Sequence, residues 1–388
     1  MPLVDGACAL VFVCFFALVY VHVLYPFVVR IFFRPQRTQS APLVPETTSA
    51  SILIAAYNEQ ELIEQCLRSV IAAIPLNVRV EIHVGDDGST DNTANIAEQI
   101  DERIVVRRFS RGGKNRTLNA LIEHAQGEVV VYCDADSILD PGSLAILFQD
   151  LRDPENGASI AHSMVLDGNH KLKTLEDEVS YRTREHRLNL AESDHSSTVT
   201  SCGSLYVVRR EYVRQLVNDR VADDWFPLLK VIESKKRVRM SPNAIVSSVR
   251  GTNLNAEFHR VARGTSVGIQ TLLCFKHLLH PRAGSVAFFL LSHRVLRWAS
   301  PLFALSIVAG VLFTYSSPEM FIPLTLGLMS IAFMVSVGYL GHLLKVHIPV
   351  AKTFLYAFVM TSAMAYGVLK VFTNQKPAQW VPDSPVSR

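Results

Sequence analysis

Two aspartates one residue apart, Asp134 and Asp136, follow the run Val129-Val130-Val131-Tyr132-Cys133. Carboxylates this close repel unless positive charge lies between them. A hard divalent cation such as Mg2+ or Mn2+, itself bound to a diphosphate, supplies that charge through oxygen ligands. The competing reading is an Asp-rich turn, since Ser137, Asp140, Pro141 and Gly142 follow. A second chemical group is Lys114, which comes after Gly112-Gly113 and opens a helical pattern. Backbone donors and an ammonium can meet a phosphate there; an ordinary solvated lysine in a first helical turn is the alternative.

These groups need elements that hold them at one edge. The run before Asp134 has no polar face, as expected of a buried strand. Ser51–Ala56, Val78–Val84 and Ile104–Phe109 have the same character. Between them lie amphipathic helical patterns, with Leu62, Ile63, Cys66, Leu67 and Val70 in the first and Leu118, Leu121 and Ile122 in the third. Strands alternating with helices predict a mostly parallel sheet, with ligands taken at the carboxyl ends of its strands. Further on, the sequence predicts a helix over Ser143–Leu151 and a strand near Ser159–Leu166. A charged helix over Lys173–Leu190, a strand over Leu205–Val208 and a last strand within Val238–Val249 follow.

The ends differ from the middle. The chain of 388 residues is 49% hydrophobic and 19% charged, low in charge for a soluble enzyme, and the apolar residues crowd its termini. Ala7–Val29 is long enough to cross a bilayer, and Arg30, Arg34 and Arg37 after it put its C-terminal end in the cytoplasm. A cleaved signal peptide would want a basic start and a shorter apolar core, so an uncleaved anchor is expected. From Ala256 to about Arg297, basic residues alternate with large apolar ones, as in helices lying on an inner leaflet, although two soluble helices under the catalytic domain would look similar. Ala299–Ser316, Phe321–Leu344 and Val350–Val371 are candidate spans. Lys345 and His347 suggest a cytoplasmic loop and Tyr315–Met320 an external one. Three spans place the tail outside, against Lys370, Lys376 and Arg388; one of the three runs could be re-entrant, or the segment near Phe288 could insert. The expected division is an anchor at 1–30, a linker at 31–50, a catalytic domain at 51–250, interfacial helices at 251–298, spans at 299–373 and a tail at 374–388. A net charge of +3 gives no basic field for nucleic acid. The six cysteines show no zinc spacing and suit reduced thiols in a cytosolic domain.

Taken in order, Ala56-Tyr57-Asn58-Glu59, Asp86-Asp87-Gly88-Ser89, Gly113-Lys114 with Leu118-Asn119, Asp134-Ala135-Asp136, Cys202-Gly203-Ser204 and Asp223-Asp224 resemble a membrane-bound family-2 inverting glycosyltransferase of bacterial polysaccharide-synthase type. The resemblance covers 51 to about 250 and implies an α/β fold of GT-A type, a Rossmann-like mostly parallel sheet. It implies a donor pocket of Ala55, Tyr57, Glu59, Asp86, Asp87, Lys114, Asp134 and Ala135, with Tyr57 against the nucleobase. Mg2+ or Mn2+ would sit on Asp134 and Asp136. Asp86-Asp87 also reads as a strand-ending Asx turn. Asp223-Asp224 stands where the family has Glu-Asp, which makes Asp224 the expected base and Asp223 its support; a helix N-cap is the alternative. Cys202, Gly203 and Ser204 match an acceptor loop, or form a plain tight turn. The processive members' Q-x-x-R-W is here Glu257-Phe258-His259-Arg260-Val261, keeping the Arg without the Gln and Trp. Arg260 and Arg263 could still hold the diphosphate, and Phe258 or Trp225 could replace the missing platform.

The expected function is inverting transfer of one sugar from a nucleotide-diphosphate donor, a UDP-sugar first, to a lipid-linked or other saccharide acceptor in cell-surface polysaccharide biosynthesis. The expected location is the bacterial inner membrane with the catalytic domain in the cytoplasm. Export or polymerising partners are left open. The rivals are a processive polysaccharide synthase, a polyprenyl-phosphate sugar synthase, which would need no protein base, and a non-catalytic membrane scaffold.

Overall fold

A computed structural model describes residues 2–33, 48–166, 176–201, 203–217, 220–249, 254–344, 346 and 348–373. Most of the expected linker, Cys202, Lys345, His347 and the tail from 374 lie outside the described residues.

The described residues form one eight-stranded sheet: β1 (Ser49–Ala56), β2 (Arg79–Asp86), β3 (Ile104–Arg108), β4 (Val129–Cys133), β5 (Ser137–Leu139), β6 (Asn156–Leu166), β7 (Leu205–Arg209) and β8 (Arg237–Val249). Their order is β3-β2-β1-β4-β7-β6-β8-β5. The pairs β1–β2, β2–β3, β1–β4 and β6–β8 are parallel; β7 runs antiparallel to β4 and β6, and β5 antiparallel to β8. This is the expected α/β, Rossmann-like, mostly parallel architecture. β1 and β4 are buried on both faces, which is why their sequences are nearly continuous apolar runs. The period of two still sorts their side chains. Ile52, Ile54, Val129 and Val131 join one core with Ile63, Cys66, Leu67 and Val70 of α3 (Ile63–Ala73). Leu53, Ala55, Val130 and Tyr132 join the other.

The helices between strands are α4 (Thr93–Glu98), α5 (Lys114–Ile122), α6 (Ser143–Asp150), α7 (Glu176–His195) and α8 (Phe226–Glu233). Before the sheet, α1 (Pro2–Val19), a π-helical turn (Tyr20–Leu24) and α2 (Tyr25–Phe32) make one apolar rod. Pro26 accounts for the π turn: its ring disturbs the preceding turn, and the Tyr25 N–H bonds to the Tyr20 carbonyl five residues back. Tyr25 and Val29 are fully buried in the second core, where α2 packs against α7 and Tyr25 against Phe288.

After β8 come α9 (Leu254–Cys274), α10 (Ser285–Phe289), a second π segment (Leu290–Val295), α11 (Leu296–Trp298), α12 (Ser300–Phe313), α13 (Pro318–Leu344) and α14 (Pro349–Phe372). Val4–Phe32, Pro318–Leu344 and Pro349–Phe372 are each long and apolar enough to cross a membrane. The expected span over Ala299–Ser316 is different. α12 has 14 residues, about 21 Å at the helical rise, against a hydrocarbon core of roughly 30 Å. It reaches span length only together with Ser285–Trp298, from which it bends by 53°. Pro301 at its start supplies the break. The segment around Phe288, expected on the leaflet surface, is therefore part of this bent pair. α13 turns large side chains such as Leu326, Met329 and Phe333 outward, as a lipid-facing helix does. α9 packs along α14, where a Cβ on Gly367 would stand 2.5 Å from the Ala262 carbonyl oxygen.

Candidate active site

β4 delivers Asp134 to the carboxyl edge of the sheet, and the turn that carries it is held by its backbone. The Asp134 N–H donates to the Ser204 carbonyl at 3.1 Å, and the Ser137 hydroxyl shares that acceptor at 3.2 Å. The Cys66 and Cys133 thiols both donate to the Asp134 carbonyl, each at 3.4 Å. The turn and the 203–204 loop thus form one unit. Ser204 is fully buried, so it acts through its main chain. Gly203 has φ +74°, and a Cβ there would come within 3.3 Å of Asp224 Oδ2, so the chain at this point has both a backbone and a steric reason to lack a side chain.

The residue that joins the motifs is Lys114. It opens α5 after Gly113, whose φ of +97° makes the sharp entry. Its Nζ lies 2.6 Å from Asp134 Oδ1 and 2.5 Å from Asp223 Oδ2. Burial works against its charge, but Asp134 and Asp223 outweigh burial and hold the ammonium protonated, above the usual lysine range. The solvated-lysine reading of Lys114 does not describe this geometry.

Neither aspartate of the pair caps the helix that follows. The N-cap of α8 is Trp225, and no side chain bonds that end. Asp223 faces Lys114, while its carbonyl accepts the Tyr206 hydroxyl at 2.9 Å. Asp224 Oδ2 accepts the Ser201 hydroxyl at 2.7 Å. Burial pushes the Asp224 carboxyl up to about 6, the Asp223 charge adds to this, and the Ser201 bond pulls against both. A carboxylate tuned this way can take a proton near neutral pH. If Asp224 must be ionised to act, the rate should fall on an acid limb near pH 6 rather than near 4. The stability term has the opposite sense. The folded group holds its proton more tightly than the unfolded one, so this contribution is complete below pH about 4 and is lost as pH rises through about 6. Ser201→Ala removes the bond that lowers the value, and its acid limb should move to higher pH in a pH–rate profile.

The donor side is more committed than the sequence suggests. Asp87 accepts from Gly112 N at 2.8 Å, Gly113 N at 2.9 Å and Thr117 Oγ1 at 3.2 Å, and pairs with Arg111 Nη1. It builds the Gly-Gly turn that aims Lys114. Asp86 accepts Ser89 N at 3.3 Å, which is the Asx-turn alternative realised. Glu59, Asp86 and Ala135 are buried, as is Ala55. The Tyr57 ring carries the Arg111 guanidinium at 3.5 Å from its centroid, on the kind of face a nucleobase would use. Arg111 was not among the residues singled out from the sequence; its place directly before Gly112-Gly113-Lys114 is the signal that could have found it. Ser201 and Tyr206 carry no comparable signal.

Arg260 ion-pairs with Glu257 one turn earlier in α9, and Arg263 lies one turn further on. Phe258 stacks on Tyr366 of α14 at 5.9 Å. Trp225 is buried, with its Nε1 donating to the Val199 carbonyl at 3.0 Å, so it is packed rather than open as a sugar platform.

Residues 51–217 match the family model described as glycosyl transferase family 2. A poly-beta-1,6-N-acetyl-D-glucosamine synthase of Staphylococcus aureus is 35% identical over 119 residues, 30% of this chain and 28% of that protein. An uncharacterised Mycobacterium tuberculosis protein is 33% identical over 146 residues, 37% of this chain and 45% of that protein. The matched stretch therefore spans less than half of each of these relatives. Among solved structures, the mannosyltransferase PcManGT from Pyrobaculum calidifontis, in complex with GDP-Man and Mn2+, superposes with a TM-score of 0.70 at 20% identity over 96% of this chain and 99% of that one. At that identity the likeness is one of fold, here of GT-A type with its flanking helices.

Proposed function

We propose that the protein, whose residues 51–217 match the family model described as glycosyl transferase family 2, is a membrane-bound inverting glycosyltransferase that moves a single sugar from a nucleoside-diphosphate donor, a UDP-sugar, to a lipid-linked saccharide. The observation that carries this is the Lys114 ammonium, which pairs with both Asp134 and Asp223, the residue next to Asp224. Asp224 takes the proton of the acceptor hydroxyl as that oxygen attacks the anomeric carbon. The bond to the donor diphosphate breaks on the opposite face, and the leaving group departs with the bonding electrons. No second protein acid is needed, since the diphosphate leaves as an anion. Lys114 would meet that growing charge.

Among the described residues no group of three or more His, Cys, Asp or Glu side chains stands together to hold a metal ion, so a divalent cation at this turn would rest on two aspartates and the donor's own phosphates. Asp134 and Asp136 offer hard oxygen ligands, and two carboxylates completed by substrate phosphates are the usual way Mg2+ is held. When bound, such an ion supplies positive charge to the departing diphosphate. Chelation with EDTA is expected to weaken UDP binding, measured by titration calorimetry, by about tenfold or more. Mn2+ or Mg2+ should restore it; binding unchanged by EDTA would remove Asp134 and Asp136 as metal ligands.

The expected site is the bacterial inner membrane, with catalysis on the cytoplasmic side. The acceptor assignment is tested by supplying purified protein with radiolabelled UDP- and GDP-sugars and a lipid extract, and following label into the organic phase. The similarity to a poly-N-acetylglucosamine synthase supports a second reading, processive chain growth. A ladder of long water-soluble polymer in the same assay would favour it, and one-sugar lipid products the first.

A further inference from the structure

A buried ionic cluster lies outside the reacting groups, where the N-terminal rod, α7 and the α10–α11 segment meet. His293 is fully buried. Its Nδ1 lies 2.7 Å from Glu192 Oε1 and its Nε2 2.5 Å from Glu185 Oε1. An imidazole between two carboxylates donates from both nitrogens only as the imidazolium. Arg297 Nη1 adds bonds to Glu185 at 3.0 and 3.1 Å, and the Tyr25 hydroxyl donates to Glu192 at 2.6 Å. Tyr20 bonds Ser292 at 3.0 Å and His22 bonds Ser300 at 3.3 Å. The two π-helical turns among the described residues, Tyr20–Leu24 and Leu290–Val295, carry Tyr20 and His22 on one side and Ser292 and His293 on the other. Such turns frequently mark functional positions. Burying two carboxylates and two cations costs stability that apolar side chains would not, so the cluster needs a reason beyond holding helices together.

The next residue in the chain points to one. The Arg294 guanidinium sits 5.2 Å from the Trp225 ring centroid, and its Nε reaches the Val199 carbonyl at 3.5 Å. Trp225 donates to that same carbonyl and meets Trp298 edge-on at 6.1 Å. Trp225 directly follows Asp224, and Val199 stands two residues before Ser201, the partner of Asp224. Arg294 thus touches the neighbours of both members of the Ser201–Asp224 pair.

We propose that Arg294 is a positioning residue for sugar transfer: fixed by the His293–Glu192–Glu185 clamp to the membrane-spanning rod at Tyr25, it holds Trp225 against Val199 and so sets where Asp224 meets the acceptor. The rod is then part of the transfer machinery, because its seating on the clamp fixes the base. The proposal rests on the reading of Asp224 as the base.

The test uses the full-length protein in detergent, with rates normalised to UDP-binding sites. Arg294→Gln is expected to lower kcat for transfer by about 10- to 100-fold, the scale of a small misplacement of a reacting group, with UDP affinity unchanged. Arg294→Lys, which keeps the charge and part of the contact, should recover part of the loss, and Tyr25→Phe should lower kcat in the same sense. Trp225→Phe should also lower kcat, and Arg294→Gln added to it should cause little further loss, because the two act in series. Multiplying losses in the double variant, or equal loss of UDP affinity and kcat, would make Arg294 a general structural residue and overturn the proposal. Normal kcat in Arg294→Gln alongside an inactive Asp224→Asn would overturn it while leaving the base assignment standing. Full activity in Asp224→Asn would remove the base assignment itself.

Discussion

Asp224→Asn is expected to lower the transfer rate by about 10²–10⁴-fold, the usual contribution of a positioned proton acceptor, while UDP binds as before. The change is nearly isosteric. The amide oxygen can still accept the Ser201 hydroxyl that now bonds Oδ2 at 2.7 Å, so the 201–204 loop should keep its place. What is lost is the ability to take a proton. Asp223 cannot stand in, because its carboxylate lies 2.5 Å from the Lys114 ammonium and is spent on that pair. Asp223→Asn should therefore act through Lys114 and show its effect in donor affinity as much as in rate. Single-turnover transfer with saturating donor, beside UDP titration, separates the two. A near-normal rate in Asp224→Asn would mean that the acceptor brings its own charged nucleophile, as a lipid phosphate does, and would favour the polyprenyl-phosphate reading.

Lys114→Met should have the largest effect on the folded state. It leaves Asp134 and Asp223 facing each other across the space their shared cation filled, with Asp224 close by. Removing one partner from a largely buried ion pair costs about 3 kcal/mol or more, and here one lysine serves two carboxylates that are themselves about a quarter exposed. The unfolding midpoint should fall clearly, and transfer should be lost with it. The sign of the pH dependence distinguishes this account from a packing defect. Acidification protonates one of the stranded carboxylates, so the deficit against the parent protein should shrink as pH falls. A deficit constant with pH would point to lost packing of the lysine stem instead.

Much of the architecture was legible because it is encoded locally. The period of two in β1 and β4, the apolar spacing of α3 and α5, and the glycine before Lys114 are each fixed by a few neighbouring residues. The motifs at strand ends followed, since a strand that stops at the carboxyl edge of a sheet must present what comes next. The bend at the start of the span expected over Ala299–Ser316 was not legible, because hydropathy measures composition and not direction. Pro301 breaks the helix, and the bent pair that results draws in the segment near Phe288. Asp87 was legible as an acid at a strand end but its bonds to the Gly112-Gly113 turn were not, because those partners come from a loop that reaches it only in the folded sheet.

By itself, the sequence determined the class of the fold and the apolar ends, since both depend on residue type and short-range order. The tertiary structure alone decided which charges meet. Lys114 between Asp134 and Asp223, Arg111 over Tyr57, and His293 between Glu185 and Glu192 join residues distant in the chain. In the sequence those side chains look like ordinary solvated charge. Electrostatic partnership depends on distance through space and on the water removed between groups, and neither quantity exists until the chain has folded.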